Sequence, residues 1–156
     1  MSGVTHRVLF VCLGNICRSP TAEGVMLHLL RERGITSVVL DSAGTSAYHV
    51  GEPADARSQR VANRRGIHLP SRARQFIHVD FQRFDWILAM DVSNLQNILA
   101  MAQTEEERSK VYLFRDFELG TPTGLSVPDP YYEHNFDVVL DICEAGCTGF
   151  LQSLGF

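Results

Sequence analysis

The chain has 156 residues, 45% of them hydrophobic and 21% charged, the balance of one globular domain rather than of a disordered or fibrous chain. Fourteen Lys and Arg against eighteen Asp and Glu leave a net charge of -4, the wrong balance for a general nucleic-acid binder. No apolar run approaches the roughly 18 residues of a membrane helix, and the N-terminal stretch through Asn15 lacks the small-residue cleavage site of a signal peptide. The expectation is a single cytoplasmic domain over residues 1–156 whose four cysteines are reduced thiols. Neither nucleic acid nor membrane is expected as a partner.

Strand and helix signals alternate along the chain. Val8-Leu9-Phe10-Val11 reads as a buried strand. Ser19-Pro20 then offers a helix cap with Pro at the first helical position, and Ala22, Val25, Met26, Leu29 and Leu30 give a helical face that stops at Gly34. Val38-Val39-Leu40 is a second strand, followed by a loop from Ser42 to Pro53. A helix from about Ala54 to Arg65 stops at Gly66. Trp86 to Met90 is a third strand, and Asp91 caps a helix facing inward through Leu95, Ile98 and Leu99. Val111 to Phe114 is a fourth strand. A long irregular connection from Arg115 to His134 precedes a terminal helix, for which Asn135 is a cap candidate.

Strands apolar on both faces and alternating with helices predict a parallel sheet covered on two sides. The expected fold is therefore α/β: a three-layer sandwich with a four-stranded parallel sheet, helices on both faces and a phosphate-binding loop after the first strand. The terminal helix carries Phe136, Leu140, Cys143, Cys147, Phe150 and Leu154 at alternating steps of four and three, an amphipathic stripe. Cys143 and Cys147 are thus expected to be core packing. A zinc site shared with Cys12 and Cys17 is the weaker reading, and no metal is expected.

In open parallel sheets ligands bind beyond the carboxyl ends of the strands. The first strand ends at Val11, so chemistry is sought in Cys12-Leu13-Gly14-Asn15-Ile16-Cys17-Arg18-Ser19. Successive backbone N–H groups between a strand and a helix start can converge on one anion. Gly14 and Asn15 most easily take a left-handed curl, and the planar fork of Arg18 can hold two phosphate oxygens. A thiol beside a helix N-terminus and an arginine is favoured as the thiolate. Under a bound phosphate, Cys12 is then an in-line nucleophile, with loop amides and Arg18 stabilising the charge that shifts in the transition state. An oxide leaving group needs a proton. Asp129 in Val127-Pro128-Asp129-Pro130-Tyr131-Tyr132 can supply it, with prolines fixing its backbone and two tyrosines able to wall a slot for an aromatic ring.

Together these segments resemble the low-molecular-weight protein tyrosine phosphatases, from VLFVCLGNICRSPTAEGV through DSAGT, ARQF and AMD to DPYY and the terminal helix. The resemblance implies that Cys12 forms a phosphocysteine and that Arg18 with the amides of Leu13, Gly14, Asn15, Ile16, Cys17 and Arg18 holds the phosphoryl group. It implies that Asp129 protonates the phenol and then activates water, and that Ser19 stabilises the Cys12 thiolate. Asn15 and Ser42 match positions that support the loop, and Ser71 stands where many members carry a histidine. Leu13, Ile16, Tyr48, Tyr131 and Tyr132 would line the slot, with Tyr48 opposite Tyr131. A phosphotyrosine ring reaches the thiolate from such a depth, and phosphoserine does not. Related protein-arginine phosphatases carry threonine at the position of Ile16, so Ile16 favours phosphotyrosine. Cys17 is implied as a redox guard that forms a disulfide with Cys12 under peroxide.

The implied activity is metal-independent and cofactor-free hydrolysis of protein phosphotyrosine and of small aryl phosphates, the latter as an acid phosphatase. Tyrosine-phosphorylated proteins are the implied partners, with a tyrosine kinase as the opposing enzyme. An arsenate reductase of the same fold would need further relay cysteines, and there is none between Cys17 and Cys143. A non-catalytic phosphotyrosine-binding module would not need the intact set Cys12, Arg18, Ser19 and Asp129. Six arginines at positions 57, 60, 64, 65, 72 and 74 and ten acids within residues 105–144 read as solvated charge or as a surface that orients a charged partner.

Overall fold

A computed structural model describes residues 4–156, with Tyr132 and Glu133 described through their backbone alone. Four strands, β1 (His6–Cys12), β2 (Val38–Gly44), β3 (Trp86–Ala89) and β4 (Val111–Leu113), form one sheet in the order β2-β1-β3-β4. Every pairing is parallel. The central strand β1 is buried from Val8 to Cys12, as expected of a strand covered on both faces.

Alternation along β1 sends its side chains into two cores. Val8, Phe10 and Cys12 join Val25 and Met26 of α1 (Arg18–Arg33), Val61 and Ala62 of α2 (Ala56–Arg64), and Leu140, Cys143, Cys147 and Phe150 of a long C-terminal helix (Phe136–Ser153). Leu9 and Val11 join Phe81 of the short helix α3 (Asp80–Arg83) and Ile98 of α4 (Val92–Met101). The expected three layers are present. Short helical segments α5 (Glu105–Arg108), a 3-10 turn (Phe114–Phe117) and α6 (Pro130–Glu133) precede the C-terminal helix, α7. Two of them lie in the connection expected to be irregular. Cys143 and Cys147 are fully buried free thiols, and burial pushes both well above the usual thiol range.

Several local expectations are corrected. Helix α1 begins at Arg18, capped by Cys17 with no side-chain hydrogen bond, so Ser19 lies inside the helix and is free to serve the loop. Pro20 is tolerated because the first helical N–H groups have no partner within the helix anyway. Asn135 does not cap α7 through its side chain; its Oδ1 is buried without a hydrogen-bond partner among the described residues. Strand β2 runs on to Gly44, because Ser42, Ala43 and Gly44 pair with Phe10, Val11 and Cys12. Asp91 caps α4 as expected, its Oδ1 accepting from the Asn94 N–H at 2.6 Å.

The arginine-rich stretch meets the acidic one through Arg65, while Arg57 and Arg74 pair with acids outside it. Arg65 Nη1 reaches Asp141 Oδ1 and Glu144 Oε1, each at 2.6 Å, tying the end of α2 to α7. Arg74 bridges Asp41 at 3.0 Å and the buried Asp80 at 3.0 Å. His68 is exposed.

Candidate active site

The loop between β1 and α1 turns at Asn15, which takes a left-handed φ of 56°. Gly14 does not; it is glycine for want of space, since a Cβ there would lie 2.9 Å from the His49 ring. Gly44, at the end of β2, is held to glycine in the same way, because its Cβ would stand 2.7 Å from the Leu13 carbonyl. The loop therefore folds down tightly onto the sheet's carboxyl edge, where Thr45 and Ser46 donate backbone N–H groups to the Cys12 and Leu13 carbonyls at 2.9 and 3.0 Å.

Cys12 Sγ lies at the base of this curl, accepting from the Asn15 N–H at 3.2 Å and standing 3.0 Å from Ser19 Oγ. Asn15 Nδ2 donates to Ser19 Oγ at 2.8 Å and to Ser42 Oγ at 3.0 Å, while its Oδ1 accepts from the Arg74 N–H at 3.0 Å. With all of its amide hydrogens and its carbonyl so used, the Asn15 orientation is fixed. Ser19 Oγ already accepts from Asn15, which leaves its own hydrogen for the sulfur. The sulfur thus faces two donors, the Asn15 N–H and the Ser19 hydroxyl.

The chain of hydrogen bonds continues inward. Ser42 Oγ donates to Glu23 Oε1 at 2.6 Å and lies 3.5 Å from Ser71 Oγ. Burial pushes the Glu23 carboxyl above the usual carboxylate range, against the pull of hydrogen bonds from Ser42 and Ser71 and of the Arg74 charge. Ser71 thus reaches the loop-supporting network as a hydroxyl. Cys17 is buried beside Cys12, and desolvation, followed by the charges of Asp55 and Cys12, pushes its thiol up to about 12.

Arg18 is only 3% exposed. Its Nη1 donates to Asp91 Oδ2 at 2.6 Å and to the Val127 carbonyl at 3.1 Å, and its Nη2 lies 3.6 Å from Asp129 Oδ2. Burial opposes the charge of Arg18, but Cys12, Asp91 and Asp129 outweigh it and hold the guanidinium above its ordinary value. Asp129 caps α6, its Oδ1 accepting from the Tyr131 N–H at 3.0 Å with Pro130 at the first helical position. A cleft of about 440 Å³ opens over these groups, lined by Cys12, Leu13, Gly14, Ile16, Cys17, Arg18, Ser46, Tyr48, His49, Asp129 and Tyr131. A buried sulfur, a fixed guanidinium and a carboxyl thus face one cavity, which suits in-line displacement at an anionic centre.

The family model described as low molecular weight phosphotyrosine protein phosphatase matches residues 7–155. The chain belongs to this family. It is 45% identical over 154 residues to a Synechocystis sp. protein named for the same phosphatase group, covering 96% of each chain. A crystal structure of a protein tyrosine phosphatase from Entamoeba histolytica superposes with a TM-score of 0.91 at 40% identity, over 97% of both chains. A Drosophila structure titled an arginine phosphatase superposes at 0.88 with 33% identity, over 96% of this chain and 98% of that one.

The residues singled out from the sequence, and through the family pattern, gather at this one place. Cys12, Arg18, Asp129, the loop residues, Ser42 and Ser71 all lie in the cleft or in the network beneath it. Tyr48 stands at the rim, 88% exposed. The ring between it and Tyr131 is His49, with centroids 5.8 Å from Tyr48 and 6.5 Å from Tyr131. The Tyr132 side chain lies outside the described residues.

Sequence reasoning missed His49 and Glu23, and it read Asp91 only as a cap. For Asp91 a signal existed, since it follows directly on the carboxyl end of β3. Glu23 offered another, as an acid between Ala22 and Val25 on a buried helical face. His49, in a polar loop, offered none.

Proposed function

We propose that this chain hydrolyses phosphotyrosine in proteins, and small aryl phosphates, through a phosphocysteine formed on Cys12. The observation that carries the reading is the convergence of Cys12 Sγ, Arg18 and Asp129 on one cleft. The Cys12 thiolate attacks phosphorus, the bond from phosphorus to the phenolic oxygen breaks, and Asp129 gives its proton to the departing oxygen. Water then attacks the phosphocysteine, the Asp129 carboxylate takes the water's proton, and the P–S bond breaks to return the thiolate. Arg18 and the loop amides stabilise the equatorial oxygens in both steps, so no metal ion enters the scheme. Ser19 donates to the sulfur when it leaves.

Substrate choice follows from the cleft. Leu13, Ile16, His49 and Tyr131 line the approach to a buried sulfur, a path that a phosphotyrosine ring spans and a phosphoserine side chain does not. The apolar Ile16 supports phosphotyrosine over phosphoarginine. Cys17 acts as the redox guard. Peroxide converts the Cys12 thiolate to a sulfenic acid with release of hydroxide, and the Cys17 thiol condenses with it to a disulfide with loss of water. Its raised thiol range keeps Cys17 from being the group first oxidised, and its place beside Cys12 in the cleft gives it the resolving role.

The test is a panel of phosphopeptides carrying phosphotyrosine, phosphoserine, phosphothreonine or phosphoarginine, assayed without metal and with chelator present. Turnover of the phosphotyrosine peptide alone is expected. Preference for phosphoarginine would overturn the substrate assignment and leave the nucleophile assignment standing.

A further inference from the structure

Asp129 sits on a short arm, and the arm is held from one side by a residue outside the cleft lining. Arg57 occupies the first turn of α2, 31% exposed at its side chain. Its fork grips Asp55, with Nε donating to Oδ1 at 3.0 Å and Nη2 to Oδ2 at 2.9 Å. Asp55 caps α2 by accepting the Arg57 N–H at 2.8 Å, and its own N–H donates to the Ile16 carbonyl of the phosphate loop at 2.8 Å. The hydrogen bond from Arg57, ahead of all other influences, holds the Asp55 carboxyl below the usual carboxylate range.

The free edge of the same guanidinium faces the arm. Nη1 donates to the Tyr131 carbonyl at 3.3 Å and lies 3.1 Å from His134 Nδ1. The guanidinium carbon stands 5.2 Å from the Tyr131 ring centroid and 4.8 Å from that of Phe136, within reach of cation–π attraction. One planar cation therefore links the phosphate loop, through Asp55, to the two ends of the turn that follows Asp129. His134 closes that turn in a left-handed conformation, φ 58°, donating its N–H to the Pro130 carbonyl at 2.9 Å.

We propose that Arg57 is the positioning residue of the proton donor: by clamping the Tyr131–His134 turn to Asp55, it sets where Asp129 stands over Cys12. Arg57 touches neither the substrate nor the reacting atoms. It acts through Asp129, because the Tyr131 N–H that orients the Asp129 carboxyl belongs to the residue whose carbonyl and ring Arg57 holds. Lysine cannot replace it, having no fork to hold a carboxylate and a carbonyl at once.

The inference rests on the proton-donor role assigned to Asp129, and the experiment separates the two. The values of kcat/KM are measured for phenyl phosphate, whose leaving group needs a proton, and for p-nitrophenyl phosphate, whose leaving group scarcely does. Arg57→Gln is expected to lose roughly tenfold on the first and less than about twofold on the second, a fraction of what general acid catalysis supplies. In an Asp129→Ala background the same substitution is expected to cost nothing further on phenyl phosphate. Equal losses on both substrates, or a full additional loss in the Asp129→Ala background, would make Arg57 a fold-stabilising residue only and overturn the proposal. Arg57→Lys carries the same comparison should Arg57→Gln not fold, with the same selective loss expected and the same equal loss overturning it. If Asp129→Ala itself shows no dependence on the leaving group, the role of Asp129 fails and the clamp falls with it. If Asp129→Ala shows that dependence and the Arg57 variants do not, the clamp alone falls.

Discussion

The two halves of the site are built to different standards of rigidity. The phosphate loop is buried and over-determined: Asn15 alone spends every polar atom of its side chain on Ser19, Ser42 and Arg74, and two glycines let the backbone close without a gap. The acid arm is partly exposed, with Asp129 41% open at its side chain, and its turn hangs on the bonds of Arg57 and its own caps. The difference follows the chemistry. In the proposed mechanism the loop presents amides to phosphate oxygens, a task that rewards preorganisation before the substrate arrives. In the proposed mechanism the arm gives up a proton, takes one from water and releases a phenol, which requires access to solvent.

The largest expected effect removes the loop's reason to exist. Cys12→Ser should abolish turnover while inorganic phosphate still binds, as followed by calorimetry; residual phosphatase activity above background would sink the nucleophile assignment. On the arm, Asp129→Ala should lower kcat/KM for phenyl phosphate by about 10²–10⁴ and spare p-nitrophenyl phosphate, the size expected for loss of a general acid. Uniform loss on both would show that the arm serves binding and not proton transfer.

Between the two halves stands Asp91, which holds Arg18 from behind. Asp91→Asn keeps the α4 cap but removes the charge partner of a buried guanidinium, and about a tenfold loss in kcat/KM is expected, shared by all leaving groups. A loss confined to poor leaving groups would instead tie Asp91 to the arm. Beneath the loop, Ser42→Ala should leave the acid arm's leaving-group dependence untouched and cost about 1–3 kcal/mol of stability in denaturant melts, because Asn15 loses an acceptor and Glu23 a donor. No change in stability would mean that the buried network is slack.

The smallest perturbation is chemical. With the Cys17 thiol pushed up to about 12, and with Cys143 and Cys147 displaced in the same direction by burial, all three remain protonated thiols at neutral pH. Mild alkylation at pH 7 should therefore label Cys12 alone, read by mass spectrometry of peptides, and raising the pH to 9 should not add Cys17. Labelling of Cys17 at neutral pH would contradict its burial.

What could be read from the chain depended on whether a residue's neighbours lie near it in sequence. Strands β1 and β3 were legible because a strand covered on both faces is a plain apolar run, and the loop because its Cys, Gly-Asn and Arg-Ser lie within one turn of each other. The end of β2 was not legible, since Ser42 and Gly44 look like loop residues and are strand only through pairing with β1. Ser19 carries the local signal of a helix cap but serves the loop, because its partners Cys12 and Asn15 lie across a turn that only the folded loop closes. Arg57 and Asp91 act on groups more than seventy positions away, a distance at which local pattern carries no information. His49 enters the cleft only because the loop after β2 folds across Gly14.

The acid arm is also anchored at both ends to the sandwich itself. Val127 is buried, donates its N–H to the Met90 carbonyl just beyond β3 at 2.8 Å and lends its own carbonyl to Arg18, while Phe136 is buried at the start of α7. Residues 128–135 are therefore a cassette between two fixed posts, too short for its loss of order to cost the sandwich much closure entropy. The proton donor and the Tyr131 ring therefore travel together on one short segment, and its contacts with Arg18 and Arg57 are what register it against the anion cradle across the cleft.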